Sequence, residues 1–300
     1  MDNPPVSEFR LTPFAGAIVV LATGVVFSFG GLAFRLTNEI DAWQYIIFRG
    51  LGAFIATIVI LSWRYRGRAH ELANSVEPSH VACGFLLAAM SAVFIVALEH
   101  TTVAFILFMQ TLAPLAGAYF SWLLLRERVS AAVLLATAVS LFGVGIMVSA
   151  TFTDKIEPLA AIAVFIPMAF GLYATLIRRS PQIDPQVPIF VGAAVLAAAG
   201  VVGTLVTSDF AITAHDAGIG LLAGSALLAI PVVFLNMGAR VVPASETALL
   251  LMSEVVLAPL WVWVFVDEQP AATTLIGGLV ILSAVTGLLL WRRTQARRLV

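Results

Sequence analysis

Long runs without a charged residue constrain this chain more than any other feature. With His counted as neutral, they include residues 11–34, 100–125, 129–153, 158–177, 185–208, 217–239 and 269–291. Each is close to the ~20 residues with which a helix crosses ~30 Å of hydrocarbon. Composition agrees, at 61% hydrophobic and 11% charged, where a soluble domain carries roughly a quarter charged residues. In lipid, every backbone group must be satisfied within a helix or a closed barrel. The period-two alternation of barrel strands is absent. The expectation is an all-α integral membrane protein.

Ten spans are expected, at roughly 13–34, 42–63, 80–98, 102–124, 129–150, 157–177, 186–207, 217–238, 244–266 and 271–291. Basic residues orient them. With both termini cytoplasmic, thirteen of the sixteen Lys and Arg residues fall on the cytoplasmic side; Arg35 and Lys155 fall outside, and Arg49 lies within a span. The N-terminus "MDNPPVSEFR" places acids before its first arginine, so no cleaved signal is expected. One cysteine, Cys83, excludes an intramolecular disulfide framework. A net charge of −1 advertises no nucleic-acid partner.

An internal repeat divides the chain. "VAFILFMQTLAPLAGAYFSWLLLRERVS" (103–130) parallels "ASETALLLMSEVVLAPLWVWVFVDEQPA" (244–271). Aligning Glu127 with Glu268 gives an offset of 141, whereas the shared "LAPL" gives 145. The first is preferred because it aligns the helix ends and the charged turns. "FSFGGLAFR" (27–35) parallels "FGLYATLIR" (170–178) at 143. Two units follow, 1–150 and 151–300, each of five spans. Five is odd, so the second unit is inverted in the membrane. Inverted repeats are a recurring transporter design, with the substrate site near the midplane where the halves meet.

Ten spans in paired halves, "FRG" (48–50) in span two, and the "…P…RERVS" and "…SE…DEQP" patterns together resemble the EamA branch of the drug/metabolite transporter superfamily. Within it, the chain is most similar to bacterial exporters of amino acids, including aromatic ones. The resemblance implies a multi-pass protein of the bacterial inner membrane that exports small metabolites and needs no cofactor or metal. Where many relatives place a proline directly after the glutamate matching Glu254, this chain has Val255, with Pro259 about one turn on.

Glu254 is the first candidate for chemistry. An acid at the centre of a span costs about 2.5 kcal/mol or more, so it belongs in the bundle interior or a wet cavity. It is a coupling or ammonium-binding carboxyl, or an acid that ties helices by a hydrogen bond. Ser253 beside it suits packing or backbone bonding, or a place in the site. Arg49 is the cation well inside a span. It binds a substrate carboxylate, pairs with Glu99 or Asp41, snorkels, or acts as a gating or structural element, which we favour.

Pro114, Pro167, Pro231 and Pro259 each free the carbonyl four residues back. Their similar depth marks either packing kinks or a cavity, with Gln110 among the freed carbonyls. Phe27, Phe94, Tyr173 and Phe234, with Phe29, Phe108 and Phe165, are candidates for an apolar pocket for a flat side chain. Trp261, Trp263 and Trp291 are expected as interface anchors. Asn236 is a polar gate or an interhelical bond. Spans five and ten, rich in small residues, are expected to be peripheral supports or a dimer surface.

These features favour a secondary transporter of small organic metabolites, amino acids first, working by alternating access as a monomer or homodimer. The alternatives are an exporter of another metabolite or a drug, or a passive channel. An enzyme is not expected. All seven aspartates are placed in loops or tails, all four histidines at loops or span ends, and neither H-E-x-x-H nor a P-loop occurs.

Overall fold

The computed structural model describes residues 11–65, 77–100, 103–127, 129–149, 162–180, 186–207, 212–266 and 271–298. Among the described residues every regular element is helical. Two regions that the repeat argument used lie partly outside them, Arg128 of the first charged turn and Glu268 of the second. So do Lys155, Arg66 and Arg68.

The helices are α1 (Pro13–Phe27), α2 (Gly30–Arg35), α3 (Ala42–Tyr65), α4 (Pro78–His100), α5 (Val103–Gln110), α6 (Ala113–Leu125) and α7 (Ala131–Val148). There follow α8 (Phe165–Arg179), α9 (Val187–Thr207), α10 (Ala214–Gly224), a π-turn at Ser225–Ala229, α11 (Ile230–Ala239), α12 (Ala244–Leu251), α13 (Ser253–Val266) and α14 (Ala272–Arg298). Among the described residues, eight stretches are long and apolar enough to cross a membrane. Two shorter apolar helices, Ala113–Leu125 and Ala131–Ile146, lie between the third and fourth of these.

Several stretches are broken near their middle. The first bends at Ser28 and Phe29, between α1 and α2. α5 gives way to α6 at Thr111 and Leu112, and Pro114 occupies the first turn of α6, where the missing N–H costs nothing. Pro231 opens α11 directly after the π-turn, and a 3₁₀ turn at 162–164 precedes Pro167. In each case the wider or tighter turn relieves the clash between proline and the carbonyl one turn back. Pro259 corrects the expectation. α13 runs through it, and the break lies seven residues earlier at Met252, where Met252 N–H bonds Leu249 O at 3.1 Å and Val255 N–H bonds Met252 O at 3.1 Å.

Packing depends on small residues, because lipid supplies no hydrophobic drive between helices and close backbone approach must replace it. α3 lies on α9 with Gly50 against Ala197, Gly200 against Ile47 and Gly203 against Trp43. Numbers rise along α3 as they fall along α9, so the two helices run antiparallel. α9 also packs on α4, α10 on α3, α8 on α6 and α4, and α1 on α11 and α12. α7 and α14 pack together at one side, where Gly143 meets the carbonyl of Gly277. Gly143 and Gly278 are thus used within the chain, whereas a Cβ at Gly145 or Gly287 would meet nothing within 4 Å. Large apolar side chains such as Val59, Leu135, Phe142, Val206 and Leu279 are mostly exposed, a surface that suits hydrocarbon and not water.

One sequence expectation about loops is corrected. Asp216 lies in the first turn of α10, fully buried. Its carboxylate accepts from Asn38 N–H at 3.0 Å and Glu39 N–H at 3.4 Å, tying the end of the first span to the start of α10.

Candidate functional site

A cavity of about 140 Å³ lies among the broken helices. α1 contributes Phe27, α3 Arg49, α4 Ser91 and Phe94, α5 Gln110, α8 Phe170 and Tyr173, and α13 Glu254 and Val255. The break points face it, with Gly30 at the start of α2, Ala113 after the α5–α6 break, and Leu251 and Met252 at the α12–α13 break. A helix break at cavity depth is tolerated where the freed backbone borders protein or water instead of lipid.

Seven sequence candidates meet at this cavity: Glu254, Gln110, Phe27, Phe94, Tyr173, Arg49 and Pro167. Six do not line it. Ser253 is buried against α1, its hydroxyl donating to Leu250 O at 3.1 Å and reaching Leu21 O at 3.4 Å. Asn236 lies behind the wall, its Oδ1 accepting the Tyr173 hydroxyl proton at 2.6 Å, an interhelical bond. Pro114, Pro231 and Pro259 shape their helices as described above. Phe234 is half exposed and faces away. The lining residues of its helix are Val232 and Leu235, and a residue two places after Val232 sits about 200° round the helix.

Two charged side chains line the cavity, Arg49 and Glu254. Arg49 is 6% exposed, so it does not snorkel. Its Nε donates to Ser91 Oγ at 3.1 Å, and its buried Nη1 has no hydrogen-bond partner. The Tyr45 hydroxyl lies beside the guanidinium. The acids considered as partners for Arg49 are used elsewhere. Glu99 accepts from Ala42 N–H at 2.7 Å, and Asp41 caps α3 by accepting from Gln44 N–H at 2.8 Å. Glu254 is partly buried, and its side chain makes no hydrogen bond or ion pair among the described residues.

Sequence reasoning missed Ser91 and Phe170. Ser91 lies three residues before Phe94 on the same helical face, and Phe170 is the counterpart of Phe27 at the offset of 143. It also misplaced Phe165, which does not line the cavity. Trp261, expected as an anchor, stacks on Phe29 with centroids 4.6 Å apart and donates its indole N–H to Ser28 Oγ at 2.7 Å. Phe165 is largely exposed, and the Phe108 side chain lies outside the described residues.

Beyond Tyr173 and Asn236, the ends of α6, α8 and α12 close together. Gly171 meets Ala116 and Gly117, and Gly117 meets Ala244 and Ser245. Ser121 and Thr175 hydroxyls are 3.4 Å apart. At the rim, Arg178 Nη2 and Nε reach Glu127 Oε1 at 2.8 and 2.9 Å. Arg126, in the left-handed conformation at φ 57°, ends α6 and turns the chain so that Glu127 follows it.

No curated protein matches the chain. Among solved structures, one titled only "Crystal structure of protein" aligns at 17% identity with a TM-score of 0.76, covering 91% of this chain and 96% of its own; at that identity the likeness establishes the fold. Residues 14–149 match the EamA-like transporter family.

Proposed function

We propose that the protein is an EamA-type secondary transporter that moves small organic metabolites, amino acids first among them, outward across a bacterial inner membrane by alternating access. The observation that carries this reading is the repetition of the cavity wall. At an offset of 143, Phe27 answers Phe170 and Gly30 answers Tyr173. At 141, Leu87 answers Leu228, Ser91 Val232, Phe94 Leu235, Gln110 Leu251 and Ala113 Glu254; every one of these residues lines the cavity.

Four further features support two inverted units of ten spans in all. The α5–α6 break at Thr111 and Leu112, shifted by 141, falls on the α12–α13 break at Met252. The packing of α4 on α9 is answered by that of α10 on α3, and α6 on α8 by α12 on α1. α3 and α9, the second helices of the two units, are antiparallel, as inversion requires. The family match ends at residue 149, at the boundary expected between the units. Rocking one unit against the other would open the shared cavity to each side in turn.

The volume narrows the cargo. An apolar cavity of ~150 Å³ accommodates benzene, and drug-sized ligands occupy pockets of roughly 300 Å³ or more. A small metabolite fits this cavity better than a drug. The test is counterflow of radiolabelled amino acids in proteoliposomes holding the purified chain, with and without a pH gradient. Saturable exchange is expected. Conductance, or flux that never saturates, would replace the transporter by a channel.

A further inference from the structure

The apolar wall of the cavity repeats between the two units, but its charges do not. Glu254 stands where the first unit has Ala113, and no residue of α9 lines the cavity opposite Arg49. The two charges are therefore unmatched between the units, one coming from each. They do not neutralise each other by contact, since no ion pair joins them among the described residues.

A buried guanidinium with an unmade hydrogen bond is expensive, because it has lost water and gained no partner. Arg49 Nη1 is such a group. The donor that Arg49 does satisfy, Nε on Ser91 Oγ, fixes the guanidinium on a residue of the cavity wall. A carboxylate is the partner whose geometry and charge suit a guanidinium. Glu254, which makes no hydrogen bond or ion pair among the described residues, accepts from an ammonium in the same way. Phe27, Phe94 and Phe170, which line the same cavity, offer an apolar surface.

We infer that Arg49 and Glu254 are the two poles of a zwitterion site, the Arg49 guanidinium donating to the substrate carboxylate and Glu254 accepting from its ammonium, with the side chain against the phenylalanine wall. This assignment rests on the transporter reading above and deepens it. It makes both residues determinants of specificity. A cargo carrying one charge leaves the opposite pole buried and unpaired, and so is rejected.

The experiment is inhibition of [³H]phenylalanine counterflow in proteoliposomes by three compounds: phenylalanine, 2-phenylethylamine, which lacks the carboxylate, and 3-phenylpropionate, which lacks the ammonium. Each analogue is expected to compete about tenfold or more weakly than phenylalanine, the cost of one unpaired charge. Glu254→Gln narrows the gap to 3-phenylpropionate only, and Arg49→Gln the gap to 2-phenylethylamine only. Glu254→Asp and Arg49→Lys retain the order of the three. A role limited to packing or mutual neutralisation predicts lower flux with the order unchanged, and that result overturns the assignment. The comparison on the unmutated chain stands even if a variant fails to fold. There, equal competition by all three compounds also overturns it while leaving the transporter reading intact. Absence of counterflow by any amino acid removes both.

Discussion

The hydroxyl of Tyr173 donates to Asn236 Oδ1 at 2.6 Å, and both residues are almost wholly buried where the cavity wall meets the packed ends of α6, α8 and α12. The bond links α8 to α11. It also holds the ring of Tyr173 at the wall instead of letting it swing into the cavity. Tyr173→Phe removes the donor and leaves an amide oxygen without it. Interhelical bonds in membrane proteins are worth roughly 0.6–2 kcal/mol, so the thermal midpoint in detergent is expected to fall by a few degrees. Asn236→Leu is expected to do the same. A Tyr173→Phe protein with an unchanged midpoint would show that the bond carries no stability.

Gly24 faces the Ser253 hydroxyl at the crossing of α1 and the α12–α13 break, with the Leu251 backbone 3.3 Å from where a Cβ would stand. Gly24→Ala drives a methyl into that hydroxyl and is expected to cost about 1–3 kcal/mol, the range for overpacking. Ser253→Gly removes the obstacle, so the double substitution is expected to recover most of the loss. Gly52 is the control. Its Cβ would meet the backbone of Leu221, which no side-chain change can clear. Gly52→Ala should therefore resist rescue by any substitution at position 221. Thermal unfolding of the four variants reads both outcomes.

These pairs show what a sequence of this kind discloses. Charge-free runs and arginine placement locate spans, because lipid penalises charge at depth whatever the neighbours are. The internal offset then brings most of the cavity wall into view, since related positions share depth and face. The rotation of each helix about its axis is not written in polarity when nearly every residue is apolar. Phe234 illustrates this: the π-turn at Ser225–Ala229 inserts part of a turn and changes the phase of everything after it. Pro259 illustrates the same gap for backbone breaks. A proline does not by itself fix where a helix breaks: α13 runs through Pro259, and the break lies at Met252. The missed partner of Arg49, Ser91, is a small hydroxyl of a kind scattered through the chain, and only the α3–α4 geometry singles it out.

Glu127 and Arg178 form a partly exposed ion pair across the ends of α6 and α8. Pairs of this exposure are worth ~0–1 kcal/mol, so Glu127→Gln is expected to move the thermal midpoint little. Its position predicts a larger effect on transport. Parting of α6 from α8 requires this contact to break, so its loss is expected to alter the counterflow rate several-fold at unchanged stability. The exchange Glu127→Arg with Arg178→Glu is expected to restore the original rate. A rate indifferent to all three substitutions would make the pair a surface ornament.

Glu254 is the acid among the groups lining the cavity, and Arg49 is the cation facing it. A carboxylate that holds an ammonium must be ionised, whereas phenylalanine keeps its ammonium throughout the acidic range. Acidification therefore removes the acceptor and not the donor. Counterflow is expected to fall as pH drops through the titration of Glu254 and to recover on return to neutral pH. In Glu254→Gln the carboxamide does not titrate, so the residual flux is expected to lose that acid limb while remaining low at neutral pH. Raising the external substrate should offset the acid loss in the unmutated protein, because protonation weakens binding and leaves the conformational cycle in place. If the acid limb persists in Glu254→Gln, another group sets the pH response, and Glu254 ties helices without meeting the cargo.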